Sequence, residues 1–249
     1  MKMLWRWVFM LLLSALALQL YFVGRIALMS LMAPESTTFE RADAYRLSLQ
    51  SSLPKWRQQW VPYAALPDNL KQAVIASEDG SFLDHDGVDI EALEKAWEKN
   101  AKAQERAAQF TDSSSASAAK PATGKVAKII GGSTITQQLA KNLFLSGERT
   151  LLRKGQELIL TLALEALLSK QRILEIYLNH VEWGDGIFGA EAAAQHYYRK
   201  PAARLSPLEA ARLAVMLPRP KYFETHFNSG YLASRANTIA ARMRGVEVP

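Results

Sequence analysis

A mainly α-helical chain carrying one N-terminal membrane-spanning helix is the fold class this sequence predicts. Three observations predict it. From Val8 to Gly24 no residue is charged, and only Ser14 and Gln19 are strongly polar. Between positions 153 and 178, apolar residues surround nearly the whole circumference of a helix. Alternation of the strand type is scarce, and there is no internal repeat. The composition agrees: 249 residues, 49% hydrophobic and 22% charged, suit a globular chain and exclude a wholly disordered or multi-span protein. Cysteine is absent, which excludes disulfides, thiolate metal sites and cysteine nucleophiles and suits an oxidising compartment. Thirty basic against 24 acidic residues give a formal charge of +6 and a pI near 9.5. That excess points to an anionic partner such as a phosphorylated substrate or a membrane surface.

The first segment, residues 1–33, reads as a cytoplasmic tip and an uncleaved anchor. Apolar character resumes after Arg25, which can snorkel to a headgroup, and a spanning helix needs about 20 apolar residues. Lys2 and Arg6 precede the run, so the N-terminus is expected in the cytoplasm and everything beyond residue 33 outside it. Ala15-Leu16-Ala17 resembles a signal-peptide cleavage site. Cleavage there leaves only Val8 to Leu13 as the apolar region, short of the roughly 7–15 residues such peptides carry.

Residues 34–61 read as a polar, partly helical stalk close to the membrane, with Trp56 and Trp60 at helical i, i+4 spacing. Pro62 and Pro67 end that pattern, and 62–249 is expected to be the main folded domain. Leu70–Ser77 reads as a short apolar helix, and Asp89 to about Arg106 as a charged one. The Ser/Ala-rich stretch from Thr111 to Thr123, within a loop of about 100–125, is too poor in apolar residues to pack and reads as a linker or mobile loop. Ser133 or Thr134 is the expected cap of a helix after Gly131-Gly132. The apolar stretch 153–178 predicts a buried central helix, breaking at Ser169. Its polar residues fall at i, i+4 steps: Arg153, Glu157, Thr161, Glu165 and Ser169. One polar stripe thus faces something other than apolar core. Gly184, Gly186 and Gly189 mark a loop, and helices are expected at Ala190–Tyr198 and Leu208–Leu217.

Several motifs fail on inspection. Gly124-Lys125 lacks both the upstream glycine and the following hydroxyl of a P-loop. A calcium loop beginning at Asp84 places Lys95 where its twelfth-position acid belongs. There is no HExxH and no Gly-x-Ser-x-Gly. Basic residues do not interleave with aromatics on one face, so nucleic acid is not an expected partner.

Three polar segments remain. Glu78 ends an apolar helix and opens the segment Glu78–Asp89. A carboxylate there, near an aromatic and other acids, can be raised in pKa and act as a general base, although a lone Glu in such a place is also an ordinary capping acid. Thr134, Gln138 and Lys141, or Asn142, share one helical face suited to a polyoxygenated or phosphorylated ligand; an exposed amphipathic face is the plainer alternative. Arg149, Arg153 and Lys154 at a helix start can grip a diphosphate. The plainer reading is an Arg153–Glu157 surface pair worth only about 0.3–0.5 kcal/mol.

Taken in order, these segments are specific. They are Glu78-Asp79-x-x-Phe82-x-x-His85-x-Gly87-x-Asp89, the run Gly131–Asn142, Arg153-Lys154-x-x-Glu157, and Ser169-Lys170-x-x-Ile173-Leu174-Glu175-x-Tyr177-Leu178-Asn179. Glu182-Trp183-Gly184-Asp185-Gly186-Ile187-Phe188-Gly189 and Leu217-Pro218-x-Pro220 complete the set. The chain resembles the bacterial peptidoglycan glycosyltransferases, in particular the monofunctional biosynthetic transglycosylases, over about residues 62–225.

The resemblance implies a lysozyme-like helical glycosyltransferase domain with a small membrane-adjacent lobe. It implies polymerisation of lipid II into glycan strands, with inversion at the donor anomeric carbon and release of undecaprenyl diphosphate. Glu78 matches the family's general base and Glu157 its second essential acid. Lys141, Arg149 and Arg153 match diphosphate binders, with Thr134, Gln138 and Asn142 beside them. Asp79, Phe82 and His85 match residues shaping the acceptor side. No protein metal site is expected; a divalent ion, Mg2+ or Mn2+, could bridge the diphosphate. The implied partners are lipid II, the growing strand and the bilayer, with other cell-wall synthesis or division proteins as further candidates. The implied location is the bacterial inner membrane, single-pass, with the domain in the periplasm. Nothing after residue 225 supplies a transpeptidase motif set. A cation cluster in place of a second carboxylate suits a leaving group that departs as an anion.

The chain departs from the family in two places: the long Ser/Ala-rich stretch, and Arg199 where many relatives have Gly. The rival expectations are a lysozyme-like glycan-cleaving enzyme and a non-catalytic membrane-tethered scaffold.

Overall fold

Helix α1 (Lys2–Met29) opens a computed structural model that describes residues 2–50, 56–113, 132–148 and 150–249. Its 28 residues extend for about 42 Å at 1.5 Å per residue, long and apolar enough to cross a membrane. Residues 2–18 of it are exposed. Its last third docks on the rest of the chain: Ile26 and Met29 are buried, and Phe22 meets Phe144 edge-on at 5.3 Å. Arg172 Nε donates to the Met29 carbonyl at 2.7 Å, satisfying a helix end that would otherwise lack partners.

Helix α2 (Thr38–Gln50) begins with a reciprocal cap, the Glu40 N–H donating to Thr37 and the Thr37 N–H to Glu40. The segment is fastened to the domain rather than standing clear of it. Glu40 also bonds the buried His180 ring at 2.7 Å, and Thr38 donates to the Leu143 carbonyl. Asp43 pairs with Arg46 and Lys221, and Arg46 with Asp185.

Trp56 and Trp60 do not share a helix. Between them β1 (Arg57–Gln58) runs parallel to β3 (Ile187–Phe188), which pairs antiparallel with β2 (Glu182–Gly184). Backbone pairing with a segment 130 positions away overrides the local spacing. The expected glycine loop at 184–189 is this small hairpin. Gly189 has φ 82°, and a Cβ there would lie 2.6 Å from the Asn179 carbonyl oxygen.

Two helical layers form the core. In one, α3 (Asp68–Glu78) packs on α9 (Pro207–Met216) and α11 (Gly230–Arg242). In the other, α5 (Ile135–Phe144) lies on α6 (Leu151–Leu167) and α7 (Lys170–His180). Between α3 and α5 comes α4 (Ile90–Ser113), which extends past the expected end at Arg106. Of the expected linker 111–123, the first three residues are helical and the rest lies outside the described residues. Helices α8 (Ala190–Tyr198) and α10 (Pro220–Thr225) flank the hairpin.

The expectation of a buried central helix at 153–178 needs correction. The break does fall at Ser169, which caps α7 by accepting the Arg172 N–H. The more deeply buried helix is α7, with Ile173, Leu174, Ile176, Tyr177 and Leu178 at 0% exposure. Helix α6 buries Glu157, Leu160, Thr161 and Leu164 but leaves Leu158, Ile159 and Leu162 at 43–50% and Leu151 and Leu152 near 90%. Its apolar surplus faces outward beside α1, because hydrophobicity alone does not say whether protein or lipid will cover a helix face.

Candidate active site

The C-terminal end of α3, the following loop, α4 and the start of α5 enclose a cleft of about 250 Å³. Glu78, Asp79, Asp89, Lys95, Lys99 and Thr134 are among the residues lining it. Glu78 is the last residue of α3, and the buried Val74 and Ile75, one turn before it on the same face, seat that helix end in the core. Enclosure pushes the Glu78 carboxyl above the ordinary carboxylate range, with the Asp79 charge adding to the effect. Hydrogen bonds from the Gln138 amide, at 3.1 Å, and the Ser77 hydroxyl, at 3.3 Å, oppose the rise.

Asp79 ties the cleft together. One carboxylate oxygen accepts the Ile135 N–H at 2.9 Å, at the positive end of α5. The other meets His85 Nε2 at 2.8 Å. His85 Nδ1 accepts the Gly87 N–H at 3.1 Å, so the ring proton sits on Nε2 and is donated to Asp79. Gly87 has φ 84°, and a Cβ there would meet Thr161 Cγ2 at 2.6 Å. Its carbonyl accepts the Thr134 hydroxyl at 2.6 Å.

Asp79, His85 and Asp89 bring ligand-type atoms within 4.8 Å of one another. Their atoms are already used: Asp89 caps α4 through the Ala92 N–H and accepts the Ser81 hydroxyl. The cluster thus closes on its own hydrogen bonds and offers no spare carboxylate pair for Mg2+ or Mn2+.

The other expected residues take distinct places. Thr134 is buried, and its hydroxyl caps α5 reciprocally with Gln137. Phe82 is fully buried beneath the Lys170 ammonium, 4.7 Å from the ring centroid, and lies in the core. Lys141 and Asn142, both half-buried, follow Gln138 by one turn of α5, and the Lys141 ammonium stands 5.6 Å over the Phe39 ring. Arg149 lies outside the described residues. On α6, Glu157 accepts from Arg153 at 2.6 Å and from Lys154 at 2.5 Å, with its side chain only 5% exposed. The pair is not a surface pair. The polar stripe continues through Glu165, which accepts from Thr136 at 2.6 Å and Lys170 at 2.9 Å.

This sequence matches the transglycosylase family model over residues 48–109 and 110–244. The chain belongs to the transglycosylase family. It is 54% identical over 234 residues to the biosynthetic peptidoglycan transglycosylase of Burkholderia thailandensis, covering 94% of this chain and 83% of the relative. The corresponding protein of Burkholderia pseudomallei is 53% identical, and that of Burkholderia orbicola 50%, again over 94% of this chain, with 83% and 86% of those relatives covered. Peptidoglycan transglycosylases are glycosyl-transfer enzymes, and as a member of this family the chain is an enzyme of peptidoglycan synthesis. Membership separates it from the glycan-cleaving alternative.

Sequence reading missed several residues in this transglycosylase. Lys154 reads in the sequence as one more cation, and only its distance to Glu157 shows the pairing. Lys95 and Lys99 share a face of α4 at i, i+4, a spacing that any solvated helix also shows. Lys170 and Tyr177 lie in the recognised run 169–179, yet nothing in periodicity tells that they reach His85 and Gln138.

Proposed function

We propose that this chain polymerises lipid II, with Glu78 as the general base. Glu78 would take the proton from the 4-hydroxyl of the acceptor's N-acetylglucosamine. That oxygen then bonds to the anomeric carbon of the donor's muramic acid. The bond from that carbon to the diphosphate oxygen breaks, and undecaprenyl diphosphate leaves with the electron pair. Attack opposite the leaving group inverts an α linkage to β.

The observation carrying this reading is the Glu78 carboxyl, held in the cleft by Gln138 and raised by burial. A base needs a pKa nearer the working pH than an exposed carboxylate has. Helix α5 links it to the leaving-group side, since Lys141 lies about 4.5 Å along the axis from Gln138. Lys141, Arg149 and Arg153, joined by Lys154, supply the charge that lets a diphosphate depart without a proton donor. Glu157 holds Arg153 and Lys154 in place.

In this reading α1 spans the bacterial inner membrane, with Lys2 and Arg6 in the cytoplasm and the catalytic domain in the periplasm. The open apolar face of α6 beside α1 supports contact with the outer leaflet, where the substrate's lipid stays. The donor end of the growing strand and other cell-wall synthesis proteins are the expected partners.

Incubation with labelled lipid II in detergent, followed by gel separation of chain lengths, tests the activity. Glu78→Gln should lower polymerisation by about a hundredfold or more. Activity within a few-fold of the unmodified enzyme sinks the assignment. Alkaline phosphatase fused after residue 249 should be active; an inactive fusion reverses the topology.

A further inference from the structure

We infer that Tyr177 is a positioning residue for Glu78: by donating to the Gln138 carbonyl oxygen, it keeps the N–H side of that amide turned to the carboxylate. The inference rests on the reading of Glu78 as the base. Three residues from three helices form one directed chain. The Tyr177 hydroxyl lies 2.9 Å from Gln138 Oε1, and Gln138 Nε2 lies 3.1 Å from Glu78 Oε2.

Direction in this chain follows from chemistry. An ionised carboxylate only accepts, so Gln138 must present N–H to it, and its oxygen then faces Tyr177, which must donate. A flipped amide would set a carbonyl oxygen against the carboxylate, an arrangement tolerated only when Glu78 holds a proton. The flip would also take away the acceptor that the Tyr177 O–H uses, at a residue with 0% exposure. Burial raises the Tyr177 hydroxyl well above its ordinary pKa, so it stays a donor across the working range. The amide is therefore fixed in the orientation that favours the proton-accepting form of Glu78.

Of the other groups around Glu78, the Ser77 hydroxyl, 3.3 Å from Oε1, also favours the charged form but does not touch the Gln138 amide. Asp79 beside it raises its pKa. Asp89, Lys95 and Lys99 line the same cleft from the α4 side, and Lys95 is paired with Glu91. From α5 come neutral Gln138 and Thr134. The Ala214 carbonyl of α9 meets Ser77, and α11 buries Leu232, Ala236 and Ile239 in the core it shares with α3.

The test is Tyr177→Phe, which keeps the ring and removes one oxygen. The rate of lipid II polymerisation, as kcat/KM, is measured against pH for both enzymes on the same substrate, so that titration of the substrate cancels. The acid limb should move upward by about one to two pH units, the size of one lost hydrogen bond to a charged form, with rates converging at high pH. Gln138→Met should move the limb the same way, and adding Tyr177→Phe to it should move it no further. A uniform loss at every pH, or an unmoved limb with native circular dichroism, overturns the inference. Should Tyr177→Phe fail to fold, a Gln138→Met limb at the unmodified position overturns it instead. The two readings fail differently. Near-normal activity of Glu78→Gln removes the base assignment. An inactive Glu78→Gln alongside an unmoved Tyr177→Phe limb removes the role of Tyr177 alone.

Discussion

The side-chain amides of Gln19 and Gln156 donate to each other, at 2.8 and 3.0 Å, closing a two-bond ring between α1 and α6. Gln19 is one of two strongly polar residues in the uncharged run of α1, and an amide there without a partner would be costly in an apolar setting. The ring sets the register of the anchor against the helix that carries Arg153 and Glu157. Replacing one amide leaves the other unsatisfied, whereas replacing both by apolar side chains removes the demand. Gln19→Leu or Gln156→Leu alone should therefore cost about 1–3 kcal/mol, and the double variant less than either. Thermal unfolding in nanodiscs reads this out. A double variant as weak as the sum of the singles would show that the amides act separately.

Glu157 is the buried member of its cluster, and Arg153 and Lys154 differ in exposure, with side chains 17% and 54% exposed. Removing the carboxylate leaves the Arg153 charge partly buried and unpaired, which could cost about 3–5 kcal/mol. Glu157→Gln should weaken lipid II turnover strongly, and Arg153→Ala should add little to it. Lys154→Ala should cost less, because a half-exposed partner is screened by solvent. A double-mutant cycle on polymerisation rates decides between coupling and independence; full additivity means that Glu157 does not orient Arg153.

Burial of Glu78 has a stability consequence with a definite sign. Its folded-state pKa lies above the unfolded value of about 4.3, so the native state is favoured by protonation. That contribution is fully present below the unfolded pKa and is lost as pH rises through the folded one. Above that point the enzyme bears the cost of an enclosed charge. Glu78→Gln should thus be inactive yet more heat-stable than the unmodified enzyme at neutral pH, with the difference shrinking as pH falls towards 4. Equal melting temperatures at neutral pH would mean that Glu78 carries no such cost.

Local chemistry made much of the chain legible. Thr134 and Ser169 announced helix starts because a hydroxyl cap acts within three residues, and Ser206 does the same for α9 with Glu209. Glu78 at a helix end and the polar stripe Arg153–Glu157–Thr161–Glu165 were readable from spacing. Long-range pairing was not: β1 exists only because β3 lies beside it. The exchange of burial between α6 and α7 was hidden for a related reason, since Leu158 and Ile159 look the same whether protein or lipid covers them. Phe82 carries a recognised motif position yet packs in the core, and Tyr177 acts through a contact 39 positions away.

Arg199 stands at φ 57°, ψ 33°, the one non-glycine residue with positive φ among those described. It ends α8, its N–H bonding the Gln195 carbonyl at 3.1 Å, in the left-handed position that closes many helices. For an L-residue with a Cβ that conformation costs about 1–2 kcal/mol. The side chain is exposed, so packing does not offset the cost. Arg199→Gly removes the strain and gives back part of the gain through the greater freedom of glycine in the unfolded chain. The net effect should be roughly 0.5–1 kcal/mol of added stability, a rise in melting temperature of about 1–4 °C for a chain of this size. Arg199→Ala keeps the Cβ and should gain nothing, which separates backbone strain from loss of a surface charge. Polymerisation should be unaffected by either change. If alanine raises the melting temperature as much as glycine does, the cost lies in the charge, and the left-handed backbone is not the cause.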